Sequence, residues 1–293
     1  MINIQRFNKA ILIIILLLLS STQLYAARAV PDEFLSISVL FSSNASTASG
    51  FYLRTNSSYY FVTARHVLFE SKIDPKTNQR ILTTNNAVLT SDPRDLNEVG
   101  KNVLTLDLQV LLKNGDIKYD ENDDAAVVRI GTVDATGKNI VSLIKGVEGK
   151  EASSSGLITT NYTDVKKFDE VKISNDVFIF GYPSSIGIKE IPQVDYTKPL
   201  IRKGIIAGTN RQKKTIIIDC PSYYGNSGGP VVELERIDLI TTAVHIIGLV
   251  SEFVPFSETW ANVTNKYSYW TISNSGYSVV VPMDAVLKLI DNK

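Results

Sequence analysis

The sequence predicts an all-β protein of two packed antiparallel barrels that ends in one α-helix. Three observations carry that expectation. Short runs rich in β-branched and aromatic residues recur along the chain between clusters of Gly, Pro, Asn and Ser. Residues 131–170, thinned in apolar residues and dotted with glycine, divide those runs into two groups. A helical period stands out only near the end, over Pro282–Ile290. No internal repeat is visible, which argues against a solenoid.

Residues 1–26 stand outside that fold. Arg6 and Lys9 precede an apolar run from Ala10 to Leu19, and Leu24-Tyr25-Ala26 ends on a small residue suited to cleavage. Charged, apolar and small segments in that order make a secretory signal peptide. The apolar run is about half the ~20 residues that a bilayer span requires. If it were left uncleaved, it would act as an anchor instead. Residues 27–145 are expected to build the first barrel. Its strands are Phe34–Phe41, Gly50–Leu53, Tyr59–Thr63, Ala87–Leu89 and Asp124–Ile130, and the run Val103–Lys113 lies between the last two. Thr55–Ser58 reads as a hairpin loop, Ala64–Leu68 as a helical turn, and Val141–Lys145 as a short helix. Residues 146–293 are expected to build the second barrel. Its strands are Asp169–Ser174, Asp176–Gly181, Leu200–Ala207, Thr215–Asp219, Val231–Leu234, Ala243–Ser251 and Tyr277–Val281. In the closing helix Pro282 falls at the start, where its missing N–H costs little, and Ala285, Leu287 and Ile290 are placed to face inward.

Composition narrows the function. The chain of 293 residues is 44% hydrophobic and 20% charged, enough for a large core and unlike a disordered chain. Lys+Arg and Asp+Glu balance at 30 each, so nothing favours a nucleic-acid partner. Cys220 is the one cysteine, which excludes an intramolecular disulfide, and beside an apolar strand it reads as a packed small hydrophobe. A signal peptide without disulfides leads to a secreted or periplasmic location in a bacterial setting. No later run is apolar enough for stable membrane insertion once the signal is removed.

The chemistry centres on Gly225-Asn226-Ser227-Gly228-Gly229-Pro230, between the apolar runs Ile216–Ile218 and Val231–Val232. Glycines let a backbone take angles that a Cβ forbids, so such a stretch can expose a serine hydroxyl and bring N–H groups near a bound carbonyl. It can equally be an ordinary turn. A serine needs a base to become a nucleophile, and the base needs an orienting group. Of the two histidines, His245 lies inside the apolar run Ala243–Val250, whereas His66 directly follows a strand and is the better base. Asp124 leads the apolar strand Ala125–Val128 and is placed to orient it. Its neighbour Asp123 points to the opposite face of an extended chain.

These motifs resemble those of the chymotrypsin/trypsin-fold serine peptidases, above all the disulfide-poor bacterial branch that includes the HtrA/Deg protease domain. Thr63-Ala-Arg-His66 is similar to the motif around the family's base, Asp124-Ala-Ala-Val-Val128 to that around its aspartate, and Gly225–Pro230 to that around its nucleophile. Gly248-Leu-Val-Ser251 resembles the strand that binds substrate backbone. The resemblance implies two six-stranded barrels and a serine endopeptidase acting through an acyl-enzyme on protein or peptide substrates, with no cofactor and no metal. It implies Ser227 as nucleophile, His66 as general base and acid, Asp124 as orienting acid, and the N–H groups of Gly225 and Ser227 as oxyanion hole. Ser251 would stand behind Asp124, and Ser251, Glu252 and Phe253 would line the substrate site. The chain departs from the pattern at Asn226, where trypsin-like zymogens carry the acid that pairs with a newly cut N-terminus, so activation by that route is not expected. Pro221 stands where trypsin has its pocket acid, Val250 stands where glutamyl-specific relatives place a histidine, and Phe253 would narrow the pocket toward small side chains. The stretch after Ser227 is too short for a PDZ domain. The competing reading is a catalytically silent pseudopeptidase that uses the same double barrel as a binding module.

Overall fold

Among the described residues, twelve short strands, all before residue 162, build the first sheet system of the protein. The computed structural model describes residues 30–291 apart from 32, 45, 76–78, 96, 97, 99, 134–140, 151–155, 185–190, 239, 240 and 263. The signal-peptide expectation lies outside the described residues. The strands are β1 (Ser38–Ser42), β2 (Thr47–Arg54), β3 (Ser58–Thr63), β4 (Phe69–Ile73), β5 (Arg80–Leu82), β6 (Asn86–Ser91), β7 (Asn102–Asp107), β8 (Ile117–Tyr119), β9 (Ala126–Val133), β10 (Val141–Leu143), β11 (Val147–Lys150) and β12 (Thr160–Asn161). β4 and β5 form a separate pair, and the other ten share one sheet.

Its central six strands run in the order β9-β3-β2-β1-β6-β7. The β2–β3 hairpin turns at Thr55, whose Oγ1 accepts from the N–H groups of Ser57 and Ser58. β10 pairs with β9 at one end of this row and β11 with β7 at the other. Only Ile144, Lys145 and Gly146 separate those two strands in sequence. Three residues reach roughly 10 Å, so both ends of the row must come close together and the sheet is curled upon itself. Gly146 makes the turn with φ of 93°, a left-handed value that a Cβ disfavours.

The second sheet system is a closed barrel of six strands: β13 (Asp176–Gly181), β14 (Leu200–Asn210), β15 (Thr215–Asp219), β16 (Pro230–Arg236), β17 (Thr242–Asn262) and β18 (Tyr267–Pro282), in the order β13-β14-β15-β18-β17-β16. Alternate residues point inward, and Val177, Ile179, Ile216, Ile218, Val231 and Ile247 meet in its core with Cys220. A charged network also lies at this barrel: buried Lys166 Nζ donates to buried Glu233 and Glu235, and the exposed Lys172 Nζ donates to Glu235 as well. The helix Met283–Asp291 follows β18 without a loop. It buries Ala285, Leu287 and Ile290, and also Met283, Val286 and Leu289.

The protein is therefore all-β with a C-terminal helix, as its patterning predicts. Several local expectations are corrected. Val141–Leu143 is a strand, because an edge of the sheet is free to pair with it. The segment read as a strand over 169–174 contains a 3-10 turn at Phe168–Glu170 and a left-handed Ser174. The run 103–113 splits at Asp107, whose carboxylate caps a helix over Leu108–Lys113 by accepting from Val110 N–H. β17 and β18 run far beyond the stretches read as strands.

Candidate active site

Strand register alone brings His66 and Asp124 together. Thr63, the last residue of β3, stands opposite Ala126, the first of β9. A residue shortly after the end of β3 must therefore lie near one shortly before the start of β9. Beyond Thr63 the chain enters a helical turn, Arg65–Leu68. Arg65 Nη1 donates to the carbonyls of Asp120 at 2.6 Å and Glu121 at 2.7 Å, which ties this turn to the loop leading into β9. Lys288 of the C-terminal helix holds the same loop through Asp120 at 2.7 Å.

The result is a two-point contact. His66 N–H donates to Asp124 Oδ1 at 3.0 Å, and His66 Nδ1 lies 2.7 Å from Asp124 Oδ2. Ser251 Oγ donates to the same Oδ2 at 2.6 Å. No hydrogen bond joins His66 to Asp123, whose N–H is occupied by Asp120 Oδ1. Burial alone would raise the Asp124 carboxyl, but the hydrogen bond and charge of His66, with the Ser251 hydroxyl, outweigh it and hold the pKa at about 2. Asp124 is thus a carboxylate at any ordinary pH, which suits it to fix one imidazole tautomer. His245 meets the carbonyl of Asp164 instead.

Ser227 sits in the loop between β15 and β16. Asn226 closes that loop from within, its Oδ1 accepting from Tyr223 N–H at 3.0 Å and its own N–H donating to the Tyr223 carbonyl at 2.9 Å. Two further bonds staple the loop to β17, Gly228 N–H to the Val250 carbonyl and Val250 N–H to the Gly229 carbonyl. Gly228 has φ of 82°, and a Cβ there would lie 2.1 Å from Thr63 Oγ1, so the glycine is required by both angle and space.

Ser49 of β2, which no local signal marks, ties the loop to the first sheet. Its N–H donates to the Ser227 carbonyl at 2.9 Å, its Oγ donates to the Gly225 carbonyl at 2.6 Å, and the same Oγ accepts from Tyr182 N–H at 2.9 Å. The Tyr224 carbonyl in turn accepts from Ser184 N–H at 2.7 Å. Both carbonyls around Gly225 are therefore engaged on their own partners. Among the described residues, the N–H groups of Gly225 and Ser227 donate to no backbone carbonyl.

His66, Tyr224 and Ser227 stand where two cavities meet. One, of about 610 Å³, is lined by Thr47, Ala48, Val67 and Ser184 among others. The other, of about 530 Å³, is lined by Ser222, Tyr223, Ser251, Glu252 and Phe253. Phe253 and Tyr224 meet edge to face with ring centroids 6.2 Å apart, which walls one side of that second cavity. In this conformation Ser227 Oγ donates to the Ser251 carbonyl at 3.3 Å rather than to His66. Burial pushes the Cys220 thiol up to about 11, so it carries no thiolate at ordinary pH and stays outside this chemistry. Among the described residues, no three His, Cys, Asp or Glu side chains cluster to hold a metal.

Comparison with known proteins places this geometry in a class. Residues 48–240, more than half of the chain, match the family described as the trypsin-like peptidase domain. The chain belongs to that family. Among solved structures it is similar to the HtrA-type protease AlgW with a tripeptide, at 12% identity and a TM-score of 0.45, over 89% of this chain and 62% of that one. It is similar to Deg5 at 14% identity and a TM-score of 0.44, over 86% of each chain. It is also similar to the protease Anisep from Arthrobacter nicotinovorans at 15% identity and a TM-score of 0.45, over 87% of this chain and 92% of that one. The chain thus spans less than two thirds of AlgW. No curated protein matches it.

Proposed function

We propose that the protein is an exported serine endopeptidase that cleaves protein or peptide substrates through an acyl-enzyme. The observation that carries this reading is the Asp124–His66 pair, bonded at two points and backed by Ser251, in one cleft with Ser227 and two backbone N–H groups that donate to no backbone carbonyl among the described residues. Ser227 Oγ attacks the substrate carbonyl while His66 Nε2 takes its proton. The N–H groups of Gly225 and Ser227 receive the negative charge on the carbonyl oxygen. His66 then protonates the leaving amine, and water releases the acyl group by the same steps. Asp124 fixes the imidazole tautomer throughout. The chemistry asks for no metal or cofactor.

One rotation stands before attack. Side-chain rotamers lie about 120° apart at χ1, so a single rotamer step takes Ser227 Oγ away from the Ser251 carbonyl and frees it to meet the imidazole. Arg6, Lys9 and the apolar run after them support export. Among the described residues, no helix is long and apolar enough to cross a membrane.

The test is covalent labelling of wild-type protein by a serine-directed phosphonate, together with turnover of unfolded casein. Wild type is expected to label and to cleave, and Ser227→Ala and His66→Ala to do neither. A specific observation favours a second reading, the silent pseudopeptidase: the Ser227 hydroxyl bonds the Ser251 carbonyl and not His66. Absence of labelling and of turnover in wild type would establish that reading.

A further inference from the structure

β17 and β18 leave the barrel as a two-stranded arm. Pairing of β16 with β17 ends at Pro230 and Leu249, and from Glu252 to Asn262 β17 pairs, among the described residues, with β18 alone. On the far side, β15 pairs with β18 only over Tyr277–Val280. All of 255–261 and 267–273 are exposed. The arm still carries Phe256, Trp260, Tyr267, Tyr269, Trp270 and Ile272, each 50–63% exposed. Trp260 stands opposite Tyr269 on one face, and Trp270 opposite Thr259 on the other, so both faces are aromatic. From Pro255 to Gly276 the only charges are Glu258 and Lys266. A lone two-stranded ribbon is marginal in water, and an open edge with a single charge is a template for a further strand.

The position of that edge indicates its occupant. The nucleophile loop is stapled to β17 at Val250, and Ser227 Oγ touches the Ser251 carbonyl. The open edge of β17 begins at that point and runs outward for about 30 Å at ~3.4 Å per residue. A polypeptide bound along Ser251–Phe253 has only to stay extended to remain on it.

We propose that the β17 edge from Val254 to Asn262 is a docking edge for unfolded polypeptide, which adds to the arm as a third strand between the aromatic side chains of both faces. The inference rests on the peptidase reading for its direction. Antiparallel addition, the more stable pairing, lays the segment N-terminal to the scissile bond along the arm. The class selected is an uncharged chain with apolar side chains on both faces, such as a core strand exposed by unfolding. With so little charge on the arm, docking is insensitive to salt.

Two peptides with the same residues around the scissile bond test this, one carrying eight further uncharged residues of mixed Val, Tyr and Thr on its N-terminal side. Bound to Ser227→Ala protein and followed by fluorescence anisotropy, the long peptide should bind at least roughly tenfold tighter than the short one, a difference of ~1.4 kcal/mol. With wild type, the same ratio should appear in kcat/KM and lie mainly in KM, because docking remote from the reacting bond is uniform binding. Methylating alternate backbone amides of the extension should abolish the advantage, and so should the triple variant Trp260→Ser, Tyr269→Ser and Trp270→Ser. Equal affinity for both peptides overturns the proposal, as does an advantage that survives amide methylation. A change from dimer to monomer in the triple variant, with the peptide ratio intact, assigns the edge to a second copy and also overturns it. Anisotropy needs no turnover, so a failed peptidase reading and a failed docking edge give different results.

Discussion

Ser49→Ala removes a single oxygen and leaves two buried groups without partners. The Gly225 carbonyl loses a donor at 2.6 Å and the Tyr182 N–H loses an acceptor at 2.9 Å. Ser49 itself is fully buried, so water has no direct path to replace it. Each buried polar group left unpaired costs about 1–3 kcal/mol, so the pair predicts a loss of roughly 2–6 kcal/mol of stability. At about 2–4 °C per kcal/mol for a domain of this size, Tm should fall by roughly 4–24 °C. The same substitution frees the Gly225–Asn226 peptide unit, which lies next to the Tyr224–Gly225 unit that carries the Gly225 N–H. Loss of one oxyanion donor costs on the order of a hundredfold or more in kcat, and a donor that is only loosened should cost about tenfold or more. KM should change little, since the donor acts on charge that develops in the transition state. Thermal unfolding and steady-state turnover of a short peptide, run on the same preparation, read both effects. A variant that loses stability yet keeps kcat at temperatures where it is folded would refute the link between Ser49 and the oxyanion site. A variant that loses neither would refute the hydrogen bonds as energetic contributors.

Three further outcomes follow from the site and the barrel. Asp124→Asn keeps the shape but removes the carboxylate that fixes the imidazole tautomer, and kcat measured on a short peptide should fall on the order of 10³–10⁴. Glu235 is held down to about 2 from an ordinary 4.5, first by the hydrogen bond from Lys166 and then by that from Lys172. A carboxyl depressed on folding stabilises the fold above its ordinary value and loses that contribution as pH falls toward 2. The urea midpoint should therefore drop between pH 5 and pH 2.5 in wild type and drop less in Glu235→Gln. Phe253→Gly removes the ring that packs on Tyr224 at the edge of the 530 Å³ cavity. A peptide-library profile should then shift toward larger residues on the N-terminal side of the cut, and an unchanged profile would free Phe253 from any part in selection.

Much of this architecture was legible locally, and what escaped was non-local. The β2–β3 hairpin is readable from Thr55–Ser58 and the C-terminal helix from Pro282 and the apolar spacing after it, since both depend on neighbours in sequence. His66 and Asp124 stand out because each adjoins a strand end, and the opposition of Thr63 to Ala126 converts that placement into contact. Ser49 has no such mark. It lies in a Ser-, Asn- and Ala-rich stretch with no apolar alternation to mark a strand, and its partner Gly225 is 176 residues away. The arm escaped for another reason. A half-buried strand alternates apolar and polar residues, but a ribbon exposed on both faces has no inner side to impose that period. Tyr267-Ser-Tyr-Trp-Thr-Ile272 is therefore strand without the pattern of one. Val141–Leu143 became a strand because curling of the sheet left an edge for it to meet.

The serine loop also bears on the expectation that trypsin-like activation does not apply to this chain. In that scheme an acid beside the nucleophile stays unpaired until a cleaved N-terminus arrives, so the loop is incomplete before cleavage. Asn226 is neutral and buried, and both its side chain and its backbone are spent on Tyr223 inside the same loop. Ser49 and Ser184 hold the neighbouring carbonyls from outside it. Among the described residues, the bonds that shape the loop come from residues between Ser49 and Ser278, with Asn274 and Ser278 holding Ser222. On the proposed peptidase reading, what stands between this conformation and attack is the Ser227 rotamer, bonded to the Ser251 carbonyl. A substrate strand lying on Ser251 would compete for that carbonyl as it arrives, releasing the hydroxyl toward His66 at the moment a reactive carbonyl is present. Binding and activation then become one event. The phosphonate should accordingly label Ser227 faster when it carries a peptide long enough to pair with β17 than when it does not, and equal rates would show that the rotamer imposes no barrier.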